Sequence, residues 1–325
     1  MVSKYKIIKK IDEKIYKILG YATKKLVKNY KNKYLKIYLN GGLCNKLHCL
    51  FSACDIALKQ GACIIEPNFG WNKKILFSDI YDINHFNKVM SKYNNGKDLM
   101  IAKDKIPRNK LLNFEVLYNG INLWNYSEQE LAIERKSGMI SFESTKLKVL
   151  EALKLKPEYK NIVKEFESNG LDTAIQIRTE SDWQRYAKTK EVSDSTESVL
   201  VSLDTLMDMI PTISKTKNIF YTSGENHQEI QDCFKKINYN AINFFDSVLE
   251  YEINAAINFE ICSIAPSFIG NSRSSYSNLI SLKRAYLLKT DNSFIYNYGD
   301  RIYRRVDKGL QPKASLSISK ETAIC

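Results

Sequence analysis

Arg178 closes the apolar run Thr173-Ala174-Ile175-Gln176-Ile177-Arg178, and Glu180 and Asp182 follow it within four residues. One cation and two carboxylates therefore share one short loop. The planar guanidinium fork can give a diphosphate two parallel hydrogen bonds. It can also offset negative charge that grows on a departing diphosphate. In that chemistry Asp182 orients the arginine and Glu180 is the candidate base. The same three residues also fit a purely structural Arg–Asp pair.

Two further segments carry residues suited to holding anions. Asn40-Gly41-Gly42-Leu43-Cys44-Asn45 follows an apolar run and precedes a helical pattern. Glycines there let backbone N–H groups approach a phosphate at a helix start. The spacing is neither GxGxxG nor a P-loop, so a plain tight turn accounts for it equally well. Gly270-Asn271-Ser272-Arg273-Ser274-Ser275-Tyr276 likewise places hydroxyls and amides before a helix. A serine-rich N-cap explains Ser274 or Ser275 there, but not the whole cluster.

The elements around these segments alternate. The sequence predicts a strand at 35–39, a helix at 46–60 and a strand at 62–65, the opening of a parallel α/β sheet. Another strand is expected at 98–102, and Ser127 to Glu130 has the form of a capping box that would start a helix. The stretch 144–168 reads as helical, divided by Pro157 and closed by Asn169-Gly170. After Arg178 the chain reads as a charged, polar loop. A second alternating block follows, with helices near 197–210, 225–237 and 248–263 and strands at 218–222, 241–245 and 267–269. All three candidate segments fall at carboxyl ends of expected strands, where ligands of such folds bind. The pattern divides the chain into 1–34, a basic helix; 35–165, a first Rossmann-like unit; 166–310, a second; and 311–325, a polar tail.

Taken together, a glycine turn near 41, an arginine strand near 178 and a Gly-Asn-Ser-x-Ser-Ser turn near 270 resemble the O-fucosyltransferase-like and α1,6-fucosyltransferase-like group. The segments starting at Leu153 and Glu252 are similar to that group too, and the resemblance covers residues 35–290. It implies an α/β, GT-B-like fold, two Rossmann-like domains facing a cleft. It further implies an inverting, metal-independent enzyme that transfers fucose from GDP-fucose to a glycan, glycolipid or glycoprotein, with no cofactor. Gly41, Gly42 and Asn45 would line the donor, the N-terminal domain would take the acceptor, and Ser274, Ser275 and Tyr276 would form the terminal phosphate turn. Arg178 would hold the catalytic position. Gln176 departs from the group, which carries histidine there; glutamine hydrogen-bonds but carries no charge. That departure keeps open a different nucleotide-sugar donor, or an inactive glycan-binding relative. No Asp-x-Asp flanked by apolar residues occurs, in keeping with metal independence.

Charge and composition set the remaining bounds. The net charge is +13, and residues 1–40 contribute +10 of it, from twelve lysines against Asp12 and Glu13. Ile7, Ile8, Ile11, Ile15, Ile18, Leu19, Ala22 and Leu26 recur at helical spacing among those lysines. Such a helix suits an anionic membrane surface, through residues 1–30, or packing on the body with a solvated lysine face. Nothing supports nucleic-acid binding. No run is long and apolar enough to span a membrane and no signal peptide is visible, so the expected location is cytoplasmic, either free or peripheral on a membrane. Seven cysteines lack zinc-knuckle spacing and read as buried thiols in a reducing compartment. His48 reads as a buried core histidine.

Overall fold

A computed structural model describes residues 34–106, 116–118, 120–137, 141–189, 198–214, 216–299 and 301–305. The basic segment at 1–30 and the tail at 311–325 lie outside the described residues.

Strand β1 (Tyr34–Ile37) leads through Asn40-Gly41-Gly42 into helix α1 (Leu43–Gln60). The helix ends at Gly61, whose left-handed conformation closes its last turn. Then follow β2 (Cys63–Ile65), short helix α2 (Phe77–Ile80), α3 (Ile83–Met90), β3 (Met100–Ile101), β4 (Val116–Tyr118) and α4 (Gly120–Ser137). These strands form a four-stranded parallel sheet in the order β3-β2-β1-β4. Helices α5 (Ser141–Ala152) and α6 (Pro157–Ser168) lead on to the second sheet. Pro157 sits at the first position of α6, where a missing N–H costs nothing.

The second sheet begins with β5 (Thr173–Gln176), followed by α7 (Ser181–Thr189), α8 (Leu203–Met209), β6 (Asn218–Thr222), α9 (His227–Lys236), β7 (Asn240–Ile242) and α10 (Tyr251–Ile264). The chain continues with β8 (Ser267–Gly270), α11 (Ser275–Tyr286), β9 (Ser293–Tyr298) and β10 (Arg301–Arg304). The order is β10-β9-β8-β5-β6-β7, parallel except for the β9–β10 pair. Every residue of β5 is buried, as a central parallel strand covered on both faces requires. The alternating α/β pattern expected from the sequence is thus present. Position 165, the expected division, falls inside α6, which packs against α10 of the second half.

Three expectations need correction. Ser127 starts no helix: α4 begins at Gly120, Ser127 is buried within it, and Glu130 pairs with Lys59 at 2.9 Å instead of capping. The segment after Arg178 is not all loop, because Ser181–Thr189 is helical and carries Asp182 in its first turn. The helix expected at 197–210 is only Leu203–Met209, since the Ser202 hydroxyl accepts from Thr205 N and fixes its start.

Side chains of both sheets belong to one contiguous buried cluster, which includes Leu35, Ile37, Ala174, Phe220 and Phe268. Arg284 of α11, also fully buried, donates to the carbonyls of Ser263, Ala265, Pro266 and Asn292. It therefore ties the connection between α10 and β8 to the start of β9. Cys44, Cys49, Cys54, Cys233 and Cys262 are buried free thiols, and Cys63 is half-buried.

Candidate functional site

The three candidate segments meet. Asn40 follows β1, Arg178 follows β5 and Asn271 follows β8, all at carboxyl ends of parallel strands. Between them lies a cleft of about 830 Å³, lined among others by Gly42, Asn45, Gln176, Arg178, Ser274 and Ser275. Two helices start on it. Gly42 is the N-cap of α1 and Ser274 that of α11, and neither helix has an acidic residue in its first turn. The first amides of a helix have no intrahelical acceptor and carry the positive end of its dipole. The two first turns are joined directly, because Ser275 Oγ donates to Asn45 Oδ1 at 2.8 Å. Ser274 occupies the N-cap position but makes no capping hydrogen bond, so capping is not what explains the serine cluster.

Gly41 has φ +82°, and a Cβ there would lie 2.7 Å from both Cβ and Nδ2 of Asn45. Only glycine lets this turn close onto the asparagine. Gln176 is buried, and its Oε1 accepts from Ser277 Oγ, which itself accepts from Asn271 N at 3.0 Å. Its Nε2 group remains as a donor on the cleft wall. Tyr276 lines the cleft, but its hydroxyl is tied to Ala255 O at 3.1 Å and its ring meets Phe259 edge-on.

Arg178 is held from four sides. Its backbone N–H donates to the Tyr296 hydroxyl at 3.3 Å. Its Nε lies 3.2 Å from Glu180 Oε2, and its Nη2 lies 3.4 Å from Asp182 Oδ2. The guanidinium also lies over the Trp183 ring, 4.4 Å from the centroid. The Glu180 contact is close but poorly aligned for a hydrogen bond, so it acts as an ion pair. Glu180 is buried, and its Oε1 accepts the Gly224 N–H at 3.0 Å. Asp182 is 64% exposed. The buried, doubly engaged carboxylate is thus Glu180, and the exposed one is Asp182. Asp182 thus contacts Arg178 as an orienting residue would, and Glu180, the expected base, also lies against the guanidinium.

Other cleft residues lay outside the expected set. Trp71, Trp124, Thr222, Ser223, His227 and Tyr251 line the same space. Trp183 stood in the Arg178 motif, and its Nε1 donates to Val199 O at 2.8 Å. The scarcity of tryptophan was the one sequence signal that could have flagged Trp71 and Trp124. His48 is buried, as expected, between the rings of Phe51 and Trp124. Burial, with Lys146 nearby, pushes its pKa well below the usual histidine range. Among the described residues no group of three or more His, Cys, Asp or Glu could hold a metal ion. Among them also, no helix is long and apolar enough to cross a membrane.

No protein family matches the chain, and no curated protein matches it either. Solved structures do. POFUT1 in complex with GDP superposes with a TM-score of 0.57 at 13% identity, over 83% of this chain and 99% of that one. POFUT1 in complex with GDP-fucose gives 0.56 at 12% identity, over the same shares. NodZ alpha-1,6-fucosyltransferase, soaked with GDP-fucose, gives 0.50 at 11% identity, over 83% of this chain and 97% of that one. The fold is therefore that of fucosyltransferases: mixed α/β, with parallel sheets.

Proposed function

We propose that this protein is an inverting, metal-independent glycosyltransferase that moves fucose from GDP-fucose to a glycan or glycoconjugate. One observation carries the reading. Two helix N-termini and a held arginine converge on one cleft, in a fold shared with proteins whose structures contain GDP or GDP-fucose. The first turns of α1 and α11 receive the diphosphate, with Gly42, Asn45, Gln176, Ser274 and Ser275 around it and Gly41 closing the turn onto Asn45. Tyr276 supports that turn through its bond to Ala255.

In the reaction an acceptor hydroxyl oxygen bonds to the anomeric carbon from the face opposite the diphosphate. The bond from that carbon to the phosphate oxygen breaks, and GDP leaves with the electron pair. Arg178 stabilises the charge on the leaving diphosphate. Glu180 positions Arg178, and the hydroxyl proton passes to Asp182 or to water. A loose transition state needs little help from a base. The half after about residue 165 supplies most of the donor contacts, and the half before it takes the acceptor while sharing the diphosphate through the first turn of α1.

A nucleotide-sugar panel, read by release of the nucleoside diphosphate with EDTA present, tests this. GDP-fucose should be turned over, and Arg178→Ala should lower kcat by about 10²–10³-fold, the usual loss for a transition-state charge donor. Turnover of another nucleotide sugar alone would reassign the donor, and near wild-type activity in Arg178→Ala would remove the proposed chemistry.

A further inference from the structure

The chain has three tryptophans, and all three line the cleft. Trp183 is engaged with Arg178. Trp71 and Trp124 come from the half that carries the four-stranded sheet, and the diphosphate grip uses neither.

Trp124 also borders a second, smaller pocket of about 230 Å³, which shares Asn45 with the cleft. Among the described residues its lining carries no charged side chain. It offers the carboxamides of Asn40, Asn45 and Asn125, the Trp124 indole, the exposed Ile121 and the Cys49 thiol, with two glycines completing it. Burial raises the Cys49 pKa to about 11, so the thiol adds no charge. Asn40 Oδ1 accepts from Gly41 N at 2.8 Å, and Asn45 Oδ1 accepts from Ser275 Oγ at 2.8 Å. Their Nδ2 groups are left as donors. The Trp124 ring is held edge-on by buried His48, with centroids 5.1 Å apart. The pocket therefore suits a ligand that is uncharged, rich in hydroxyls, apolar on one face and about one ring in size. It lies below the roughly 300–1,000 Å³ of drug-sized sites.

Trp71 is built as a platform. It is 64% exposed, yet the Lys46 ammonium lies 5.0 Å from its ring centroid. Lys46 is itself buried and fixed by Glu252 at 2.8 Å. Asn68 pins the loop, accepting from Gly70 N at 3.1 Å and from Ile75 N at 2.8 Å. A rigid exposed indole offers a flat apolar face at little entropic cost.

We infer that the pocket beside Trp124 binds one neutral pyranose of the acceptor, and that Trp71 stacks a further ring, so that the acceptor is a neutral oligosaccharide. This rests on the transferase reading above, because the shared Asn45 wall is what sets the acceptor ring beside the diphosphate. A charged sugar finds no counter-ion among the described residues of the small pocket, and a peptide would leave its ring-sized shape and three carboxamides unused.

The test is a defined array of neutral and acidic mono- to tetrasaccharides and of peptides, probed with the full chain. GDP affinity is measured separately by calorimetry. Neutral oligosaccharides should be retained. Trp124→Ala and Ile121→Arg should each cut that binding at least about tenfold, as loss of a stacking anchor or occlusion of its pocket would. Trp71→Ala should weaken di- and longer saccharides more than monosaccharides. Ile121 is 62% exposed, so Ile121→Arg blocks the pocket without disturbing the core if Trp124→Ala fails to fold. Retention of acidic glycans or peptides alone, no retention of any glycan, or binding that survives both pocket substitutions overturns the inference. Glycan binding without GDP binding would sink the donor reading and leave the pocket a glycan site but not an acceptor site; GDP binding without glycan binding would sink this inference alone.

Discussion

Glu180→Gln separates two roles that the sequence left interchangeable. Glutamine keeps an oxygen for the Gly224 N–H, now accepted at 3.0 Å, and removes only the charge beside Arg178. At 3.2 Å, in an effective dielectric of 20, the Coulomb attraction lost is about 5 kcal/mol, an upper bound before solvation is counted. Arg178 keeps Asp182 at 3.4 Å and the Trp183 face at 4.4 Å, so the guanidinium stays charged and partly held. Couplings of close charge pairs start at about 1.5 kcal/mol, and a loss of about 1.5–3 kcal/mol corresponds to roughly a 10- to 100-fold fall in kcat. GDP affinity should hold, because Glu180 contacts Arg178 and Gly224, whereas the proposed phosphate grip lies at the helix first turns. Steady-state kinetics on GDP-fucose across pH is the assay. A positioning role leaves the acidic limb of the kcat profile where it was. Were Glu180 the base, the loss would reach about 10²–10⁴-fold and that limb would vanish. Either that pattern, or a change below about twofold, refutes the assignment of Glu180 as the residue that positions Arg178.

Gly41→Ala should lower stability by about 1–2 kcal/mol, through φ +82° and the clash with Asn45, and should weaken GDP binding; urea unfolding and calorimetry check both. Lys146 is buried, and desolvation lowers its pKa from 10.5 to about 8. The unfolded chain therefore binds the extra proton between those values, and stability should rise with pH from about 8 to 10.5, by roughly 2–3 kcal/mol at most. Lys146→Met should flatten that slope in urea titrations at pH 8 and 10. Because one buried cluster runs through both sheets, unfolding should be a single transition by fluorescence and circular dichroism alike. Two separated transitions would contradict that shared core.

Much of the frame was legible because punctuation and period agreed. Pro157, Asn169 and Gly170 bracket α6 where the sequence places them, and Asn218–Thr222 forms β6 as expected. The failures have specific causes. The Ser127–Glu130 pattern mimics a cap, but Glu130 serves a pairing with Lys59 from another element, which spacing alone cannot reveal. The charged stretch after Arg178 hid α7, because its polar face swamps the two aromatic positions, Trp183 and Tyr186, that stack on each other. At the site, the residue types were readable and the wiring was not. The sequence gives two carboxylates near one arginine. Which of them is buried depends on the Gly224 amide, 44 positions downstream of Glu180.

Gln176 gains meaning from the same wiring. As a departure from histidine it left open a different donor or an inactive relative. Its Oε1 instead receives the Ser277 hydroxyl, and Ser277 receives the Asn271 amide. A neutral side chain with an obligate acceptor and an obligate donor can do both jobs at once: close the turn before α11 and offer Nε2 to the cleft. A protonated histidine would have no acceptor for Ser277, and a neutral one would be confined to a single tautomer. The cradle beside Gln176 already holds two helix N-termini and Arg178, so a further cation there is not needed to balance a diphosphate. The glutamine is thus consistent with a working anion site whose positive potential comes from the backbone and Arg178.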